Sequence, residues 1–417
     1  MANDILKGES MNGTHPVSLT LLIAALVARS ATLLATETPH ETSVGAIVNG
    51  NTAFALKMHQ ELCSKEGNFF FSPYSISSAL GMTYAGARNN TEKEMKEALH
   101  FPGGRNELCT SFGKLQEELN AVQKTGDIKL SIANAIWAEK RYDFLPDYMD
   151  LVQKDYKSKI ALADFAGHAE RERKMINAWV ENQTNDKIKT LIPMDVLDSL
   201  TRMVLVNAIY FKGDWASMFK ESNTHEQEFY VTNEKAVKVK MMYQKGDFKL
   251  AEDENTQALE MMYKGDHISM LVLLPKQKNK ISTLEKTLTA EMLNGLITKL
   301  RKTEVKVSFP KFKIETRYDL VPPFMNLGMK DAFSKRSDFS GMDGTKDLFI
   351  SAILHKAFVE VDETGTEAAA ATAIIMALTS VSNEPRFTAD HPFLFLIRDN
   401  ATGSILFMGR MVDPNSN

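Results

Sequence analysis

The sequence predicts an α+β protein, and three observations predict it. Apolar residues recur at helical spacing in several stretches, as Phe54, Leu56, Met58 and Leu62 do within residues 51–62. Other stretches are continuous apolar runs, such as Met203-Val-Leu-Val-Asn-Ala-Ile-Tyr-Phe211 and Ile268-Ser-Met-Leu-Val-Leu-Leu274, which read as strands buried on both faces. The composition, 44% hydrophobic and 24% charged over 417 residues, supplies a large core of ordinary globular character.

In chain order, Val17-Ser-Leu-Thr-Leu-Leu-Ile-Ala-Ala-Leu-Val-Ala28 has the length of a signal-peptide core and is too short to span a membrane. A secreted protein is therefore expected, with an uncleaved extension on a cytoplasmic protein as the alternative. Residues 1–45 read as leader and polar linker, and residues 46–417 as one domain. After the first helical stripe, Phe69-Phe-Phe71 is a short buried strand, and Ser72-Pro-Tyr-Ser75 starts a helix with Pro73 in its first turn. The small apolar residues Ala79, Leu80, Gly81 and Ala85 place that helix at the centre. Residues 91–99 and 108–122 read as exposed helices, 130–137 as a strand, and 144–154 and 175–184 as helices. Residues 229–242 and 245–259 read as paired strands, 283–301 as helix, and 305–314 as a strand with its lysines on one side. Pro322 and Pro323 argue against helix over residues 319–324. A hairpin of residues 393–397 and 405–408 closes the chain.

The most unusual stretch is Glu363-Thr-Gly-Thr-Glu-Ala-Ala-Ala-Ala-Thr-Ala-Ile-Ile-Met-Ala-Leu-Thr-Ser380. Its alanines favour helix, but Thr372, Ile374 and Ile375 favour strand, and strand-like runs flank it. With a period of two, one face carries Thr366, Ala368, Ala370, Thr372, Ile374 and Met376, without charge. The other carries Glu367, Ala369, Ala371, Ala373 and Ile375, small after the first residue. Such a segment suits an exposed loop in one state and a strand in another.

Gly365-Thr-Glu-Ala-Ala-Ala-Ala-Thr-Ala373 resembles the reactive-loop hinge of the serpins, and Phe387-Thr-Ala-Asp-His-Pro-Phe-Leu-Phe-Leu-Ile397 resembles the strand that follows their loop. Asn68-Phe-Phe-Phe-Ser-Pro-Tyr-Ser-Ile76 and Asn207-Ala-Ile-Tyr-Phe-Lys-Gly-Asp-Trp215 are similar to two further segments of that family. The resemblance implies a serpin fold of three β-sheets and about eight or nine helices, with a reactive loop over residues 363–387. It implies a suicide-substrate inhibitor, monomeric and without cofactor, whose partner is a target serine protease held as a covalent acyl-enzyme. Glu363, Gly365, Thr366, Glu367, Ala368, Ala369, Ala370 and Ala371 would form the hinge. Asn68, Ser72, Ser75 and His355 would make polar contacts under sliding strands, and Trp215 would sit where the loop first joins the sheet. Counting seventeen residues inclusively from Glu363 puts the scissile bond at Thr379–Ser380, and a one-residue offset puts it at Leu378–Thr379. Thr379 suits elastase-like or subtilisin-like pockets and Leu378 chymotrypsin-like ones. With no nearby Arg or Lys on the acyl side, trypsin-like targets are not expected. A non-inhibitory member of the family (carrier, chaperone or storage protein) is the alternative.

Several classes are not expected. A net charge of −4 gives no sign of nucleic-acid binding. No nucleophile elbow, zinc-protease, P-loop or dinucleotide motif occurs, so no enzyme is predicted. The nine histidines read as scattered without ligand spacing, and no metal site is expected. Cys63 and Cys109 are the only cysteines and are expected as free thiols. Few basic residues lie in 108–122, which argues against regulation by sulfated polysaccharides of the kind that the resemblance would allow.

Overall fold

A computed structural model describes residues 43–124, 126–158, 160–366 and 384–416. Ser43–Asn417 is one compact unit. Among the described residues there are ten α-helices and fifteen strands. The helices are α1 (Ser43–Leu62), α2 (Pro73–Gly86), α3 (Asn89–Ala98), α4 (Arg105–Gln123), α5 (Pro146–Asp155), α6 (Phe165–Gln183), α7 (Ile281–Thr287), α8 (Ala290–Lys299), α9 (Val321–Asn326) and α10 (Ser340–Asp343). The strands begin with β1 (Phe69–Phe71), β2 (Ile128–Glu139), β3 (Ile160–Ala163), β4 (Met203–Asp214), β5 (His225–Tyr230), β6 (Ala236–Glu252), β7 (Thr256–Met262) and β8 (Ile268–Pro275). They continue with β9 (Arg301–Pro310), β10 (Phe312–Asp319), β11 (Ile350–Val361), β12 (Gly365–Thr366), β13 (Arg386–Thr388), β14 (Phe393–Asp399) and β15 (Ile405–Met411).

Six strands form the sheet that carries the site, in the order β10-β11-β12-β4-β2-β3, with β11 also paired directly to β4. Nine more make a connected network, β1-β15-β14-β8-β7-β6-β9-β13 with β5 added on β6. That network is two sheets joined through one long strand. The first part of β6, Ala236–Met241, pairs with β5, its middle, Met241–Leu250, with β9, and its last residues, Lys249–Glu252, with β7. The three sheets of the expected α+β fold are thus present.

β4 shows why its sequence is apolar throughout. Met203, Leu205, Ile209 and Phe211 point into the main core shared with α1, α2 and the nine-stranded network. Val204, Val206, Ala208 and Tyr210 point the opposite way, into a second core closed by Phe165, Ile176 and Val180 of α6. A strand covered on both faces has no solvent side to alternate with.

Several elements differ from the sequence reading: the helix expected over 283–301 is two, α7 and α8, and the strand expected over 305–314 is divided between β9 and β10 at Lys311. Helix α1 starts at Ser43, so the end of the expected linker is helical. The expected strand pair over 229–259 is instead β5, the 17-residue β6 running straight through Gly246, and β7. The chain turns at Asp253, whose carboxylate accepts from the Asn255 and Thr256 N–H groups. Residues 321–326 are helical despite their prolines. Pro322 and Pro323 fall in the first turn, where a missing N–H removes no helical bond. Both cysteines are free, Cys63 half-buried and Cys109 buried. Among the described residues no helix is long and apolar enough to cross a membrane. Residues 17–28, on which the secretion expectation rests, lie outside the described residues.

Candidate functional site

The site is the boundary between β4 and β11. The two strands run parallel and pair from Ile350–Met203 to Phe358–Tyr210. Beyond Phe358 they separate, and β12 lies between them. Thr366 pairs antiparallel with Val361 on one side and with Gly213 on the other, and Gly365 pairs with Asp214. The chain reaches this slot by reversing after β11. The Asp362 carboxylate accepts from the N–H groups of Thr364 and Gly365 at 2.9 and 3.2 Å, and the Asp362 N–H donates to Gly365 O at 2.9 Å. Gly365 is required by crowding, since a Cβ there would lie 2.1 Å from Gly213 O.

Aromatic and ionic contacts fix this corner. Trp215 is 3% exposed and stacks on Tyr263 with ring centroids 4.6 Å apart. Its indole N–H donates to Asp362 O at 3.0 Å and its backbone N–H to Thr364 O at 2.7 Å. Tyr263 OH and Thr366 Oγ1 share a hydrogen bond of 2.8 Å, and Thr366 is fully buried. The Glu363 carboxylate receives Lys311 Nζ and Thr224 Oγ1, each at 2.6 Å. Burial alone would raise the Glu363 carboxyl, but these two donors more than reverse that and hold it below the usual carboxylate range.

Lower on the same boundary is a polar row. Tyr318, His355, Asn207 and Asn134 are direct cross-strand neighbours on β10, β11, β4 and β2. The amino end of α2 meets this row. Ser72 caps the helix, accepting the Ser75 N–H at 3.1 Å and donating its hydroxyl to Leu406 O at 2.6 Å. The Ser72 N–H donates to His355 Nε2 at 3.1 Å. Nε2 therefore accepts, and Nδ1 carries the proton that goes to Asn207 Oδ1. Asn207 Nδ2 donates to Ser75 Oγ at 2.6 Å and also to Asn134 Oδ1. Complete burial pushes the His355 imidazolium down to a pKa of about 3, with the Asn207 bond opposing weakly, so the ring is neutral near pH 7.

The expected residues thus fall into two groups and an outlier. Ser72, Ser75 and His355 share the polar row, and Trp215, Glu363, Gly365 and Thr366 share the upper corner. Asn68 belongs to neither group. Its amide donates to Asp413 O and Ser416 O at 2.7 and 2.8 Å and accepts from the Val412 and Asp413 N–H groups. It secures the carboxyl-terminal segment, not the strand boundary. Glu367, Ala368, Ala369, Ala370, Ala371, Leu378, Thr379 and Ser380 lie outside the described residues. Asn207, Asn134, Lys311, Thr224 and Tyr263 were not anticipated. Asn207 had a visible signal, as the single amide in a nine-residue run that is otherwise apolar.

At one end of the six-stranded sheet, the two-residue strand of Gly365 and Thr366 is hydrogen-bonded between β11 and β4. The family described as Serpin (serine protease inhibitor) matches residues 49–414. This chain belongs to the serpins. Human Serpin B3 is 42% identical over 392 residues, covering 89% of this chain and all of that protein. Human leukocyte elastase inhibitor is also 42% identical, over 88% of this chain and 99% of its own length. Among solved structures, uncleaved ovalbumin superposes with a TM-score of 0.80 at 33% identity, over 88% of this chain and 100% of that one. Human thyroxine-binding globulin with its hormone superposes with a TM-score of 0.82 at 31% identity, over 90% of this serpin and 100% of that chain.

Proposed function

We propose that this serpin is a suicide-substrate inhibitor of elastase-like, subtilisin-like or chymotrypsin-like serine proteases. The observation that carries the reading is β12: Gly365–Thr366 already hydrogen-bond as an antiparallel strand between β11 and β4. From Ala368 to Ser380 the sequence carries no charge, and Glu367 falls on the opposite face from Thr366, so continuing that strand downward puts no ion on the face that Thr366 buries. In the proposed reaction the protease serine attacks the carbonyl carbon of Thr379, the C–N bond to Ser380 breaks, and the Ser380 amine leaves as a new amino terminus. The acyl-enzyme ester then stays on Thr379 while the freed hinge inserts, strand addition of the kind known for serpin loops. Insertion must part the β4–β11 pairs and outrun attack of water on the ester. Leu378–Thr379 is the alternative bond.

A second reading, a carrier or storage protein, is favoured by the likeness to thyroxine-binding globulin and ovalbumin. One experiment separates the two. The protein is mixed with elastase, chymotrypsin and subtilisin, the products are resolved in denaturant, and the released carboxyl-terminal peptide is weighed. Inhibition predicts a denaturant-resistant covalent band and a peptide beginning at Ser380 or Thr379. Cleavage without the band, and with no rise in the melting temperature of the nicked protein, would overturn the inhibitor reading in favour of the second.

A further inference from the structure

Away from the strand boundary, the carboxyl end of α1 brings together three side chains of metal-ligand type. His59 and Cys63 are four residues apart, and the Cys63 N–H donates to His59 O at 2.8 Å, so the helical turn continues through Cys63 and stacks the two side chains. Glu285 reaches them from α7. One ligand atom from each of the three lies within 4.8 Å of the others. We propose that His59, Cys63 and Glu285 bind a divalent transition ion of the zinc class.

Four observations carry this. His59 is 1% exposed, yet its Nε2 has no hydrogen-bond partner; the nearest candidate, Glu285 Oε1, is 3.6 Å away. A buried ring nitrogen without a partner is costly, and a bound ion would satisfy it. The donor set of thiolate, imidazole and carboxylate selects zinc-like ions over magnesium or calcium, which take oxygen. Tetrahedral bonds of about 2.0–2.3 Å place neighbouring ligand atoms roughly 3.3–3.7 Å apart, so the side chains need to close by about 1 Å. Half-buried Cys63, just past the helix end, has the freedom to do this and gives the ion a route in from solvent.

The surrounding charges act in both directions. Arg410 donates to Glu285 Oε1 at 2.9 Å, but it is also held by the carbonyls of Cys63, Lys65 and Gly67. It therefore holds the same Glu285 oxygen that faces His59, as outer-shell partners of ligating carboxylates do, and that oxygen's second lone pair is the one turned to the ion. Burial, Glu285 and Glu61 raise the Cys63 thiol while Arg410 lowers it, for a net upward shift. The thiol is therefore protonated near neutral pH, and coordination releases that proton to solvent as the S–metal bond forms. With one thiolate and one carboxylate the divalent ion is neutralised, and a water completes the fourth position. The ion would tie α1 to α7 and, through Arg410, to β15.

Cobalt(II) chloride titrated into the reduced, full-length protein tests the proposal. One equivalent is expected to produce the thiolate-to-cobalt charge-transfer absorption and the visible bands of a tetrahedral site. Zinc should displace it and magnesium should not. Cys63→Ser, at a half-buried position, should keep the fold and lose the charge-transfer band, and His59→Ala should lose the tetrahedral spectrum. Cys109→Ser should keep both. Absence of the band in the unmodified protein, or its survival in Cys63→Ser, would overturn the assignment.

Discussion

The two ends of the β4–β11 boundary are held in opposite ways. At the upper corner the strands have already separated, and a charged pair, Lys311–Glu363, works with the Trp215–Tyr263 stack to hold the first two residues of a wedge in place. At the polar row the strands are still paired, and the hydrogen-bonded members are uncharged: His355, Asn207, Ser72 and Ser75 are buried and Asn134 is half-buried. A neutral network can be broken and remade for about 0.5–1.5 kcal/mol per bond. A buried ion pair at the same place would leave uncompensated charge worth about 3–5 kcal/mol when separated. The difference teaches that the row joining β4 to β11 is neutral, while the buried charge beside it, Lys356 of β11, keeps its carboxylate partner Glu315 on β10, on the other side of β11 from β4.

The contrast can be broken most severely at the wedge. Thr366→Arg puts a cation where Thr366 is fully buried against Tyr263, and insertion would have to carry it into the sheet. A penalty of several kcal/mol corresponds to a drop of more than about a hundredfold in the ratio of covalent complex to cleaved product. Quantitative gels would read it, and an unchanged ratio would count against the hinge assignment. Next in size, Asn207→Ala strips partners from His355, Ser75 and Asn134 together. It should cost about 2–4 kcal/mol in denaturant unfolding, and a loss below 1 kcal/mol would mean that the row is not a coupled network.

The pH dependence sharpens the contrast further. His355 has a folded pKa of about 3 against an unfolded value of about 6.5. Its contribution is therefore complete above pH 6.5 and falls as pH drops toward 3, because the unfolded chain takes up a proton that the native one refuses. The slope from this one residue is at most about 1.4 kcal/mol per pH unit. His355→Gln should flatten the stability profile in that window, and an identical slope would remove the buried neutral histidine from the account. Smallest is Lys311→Ala at the upper corner. Lys311 is more than one-third exposed, so solvent screens the pair and about 1 kcal/mol or less is expected, decreasing with salt.

How far the sequence could be read depended on how local the cause was. The run of β4 and the cap at Ser72 are local signals, and each marked its element. Glu363 was singled out in the sequence, but its partners were not. Lys311 is 52 positions upstream and Thr224 is 139, and nothing in a single chain announces such pairings. Asn134 and Asn207 sit opposite each other only because β2 and β4 share a register that the sequence does not encode locally. The prolines at 322–323 misled because their effect depends on position within the helix, and the first turn accepts them. The His59–Cys63 spacing was present in the sequence, but its meaning depends on Glu285 arriving from a helix more than 200 residues away.

A single methyl group at residue 365 would act as a doorstop. Gly365 backs onto Gly213 so tightly that an added Cβ would meet the Gly213 carbonyl at 2.1 Å, while one on Gly213 would press on Phe211 and Tyr263 at 3.0 Å. Alanine at 365 should unseat Thr366 from its berth while leaving every residue near the proposed scissile bond untouched. The facing glycines therefore give an engineer a handle on whether Gly365–Thr366 stays seated between β4 and β11, without altering residues 378–380.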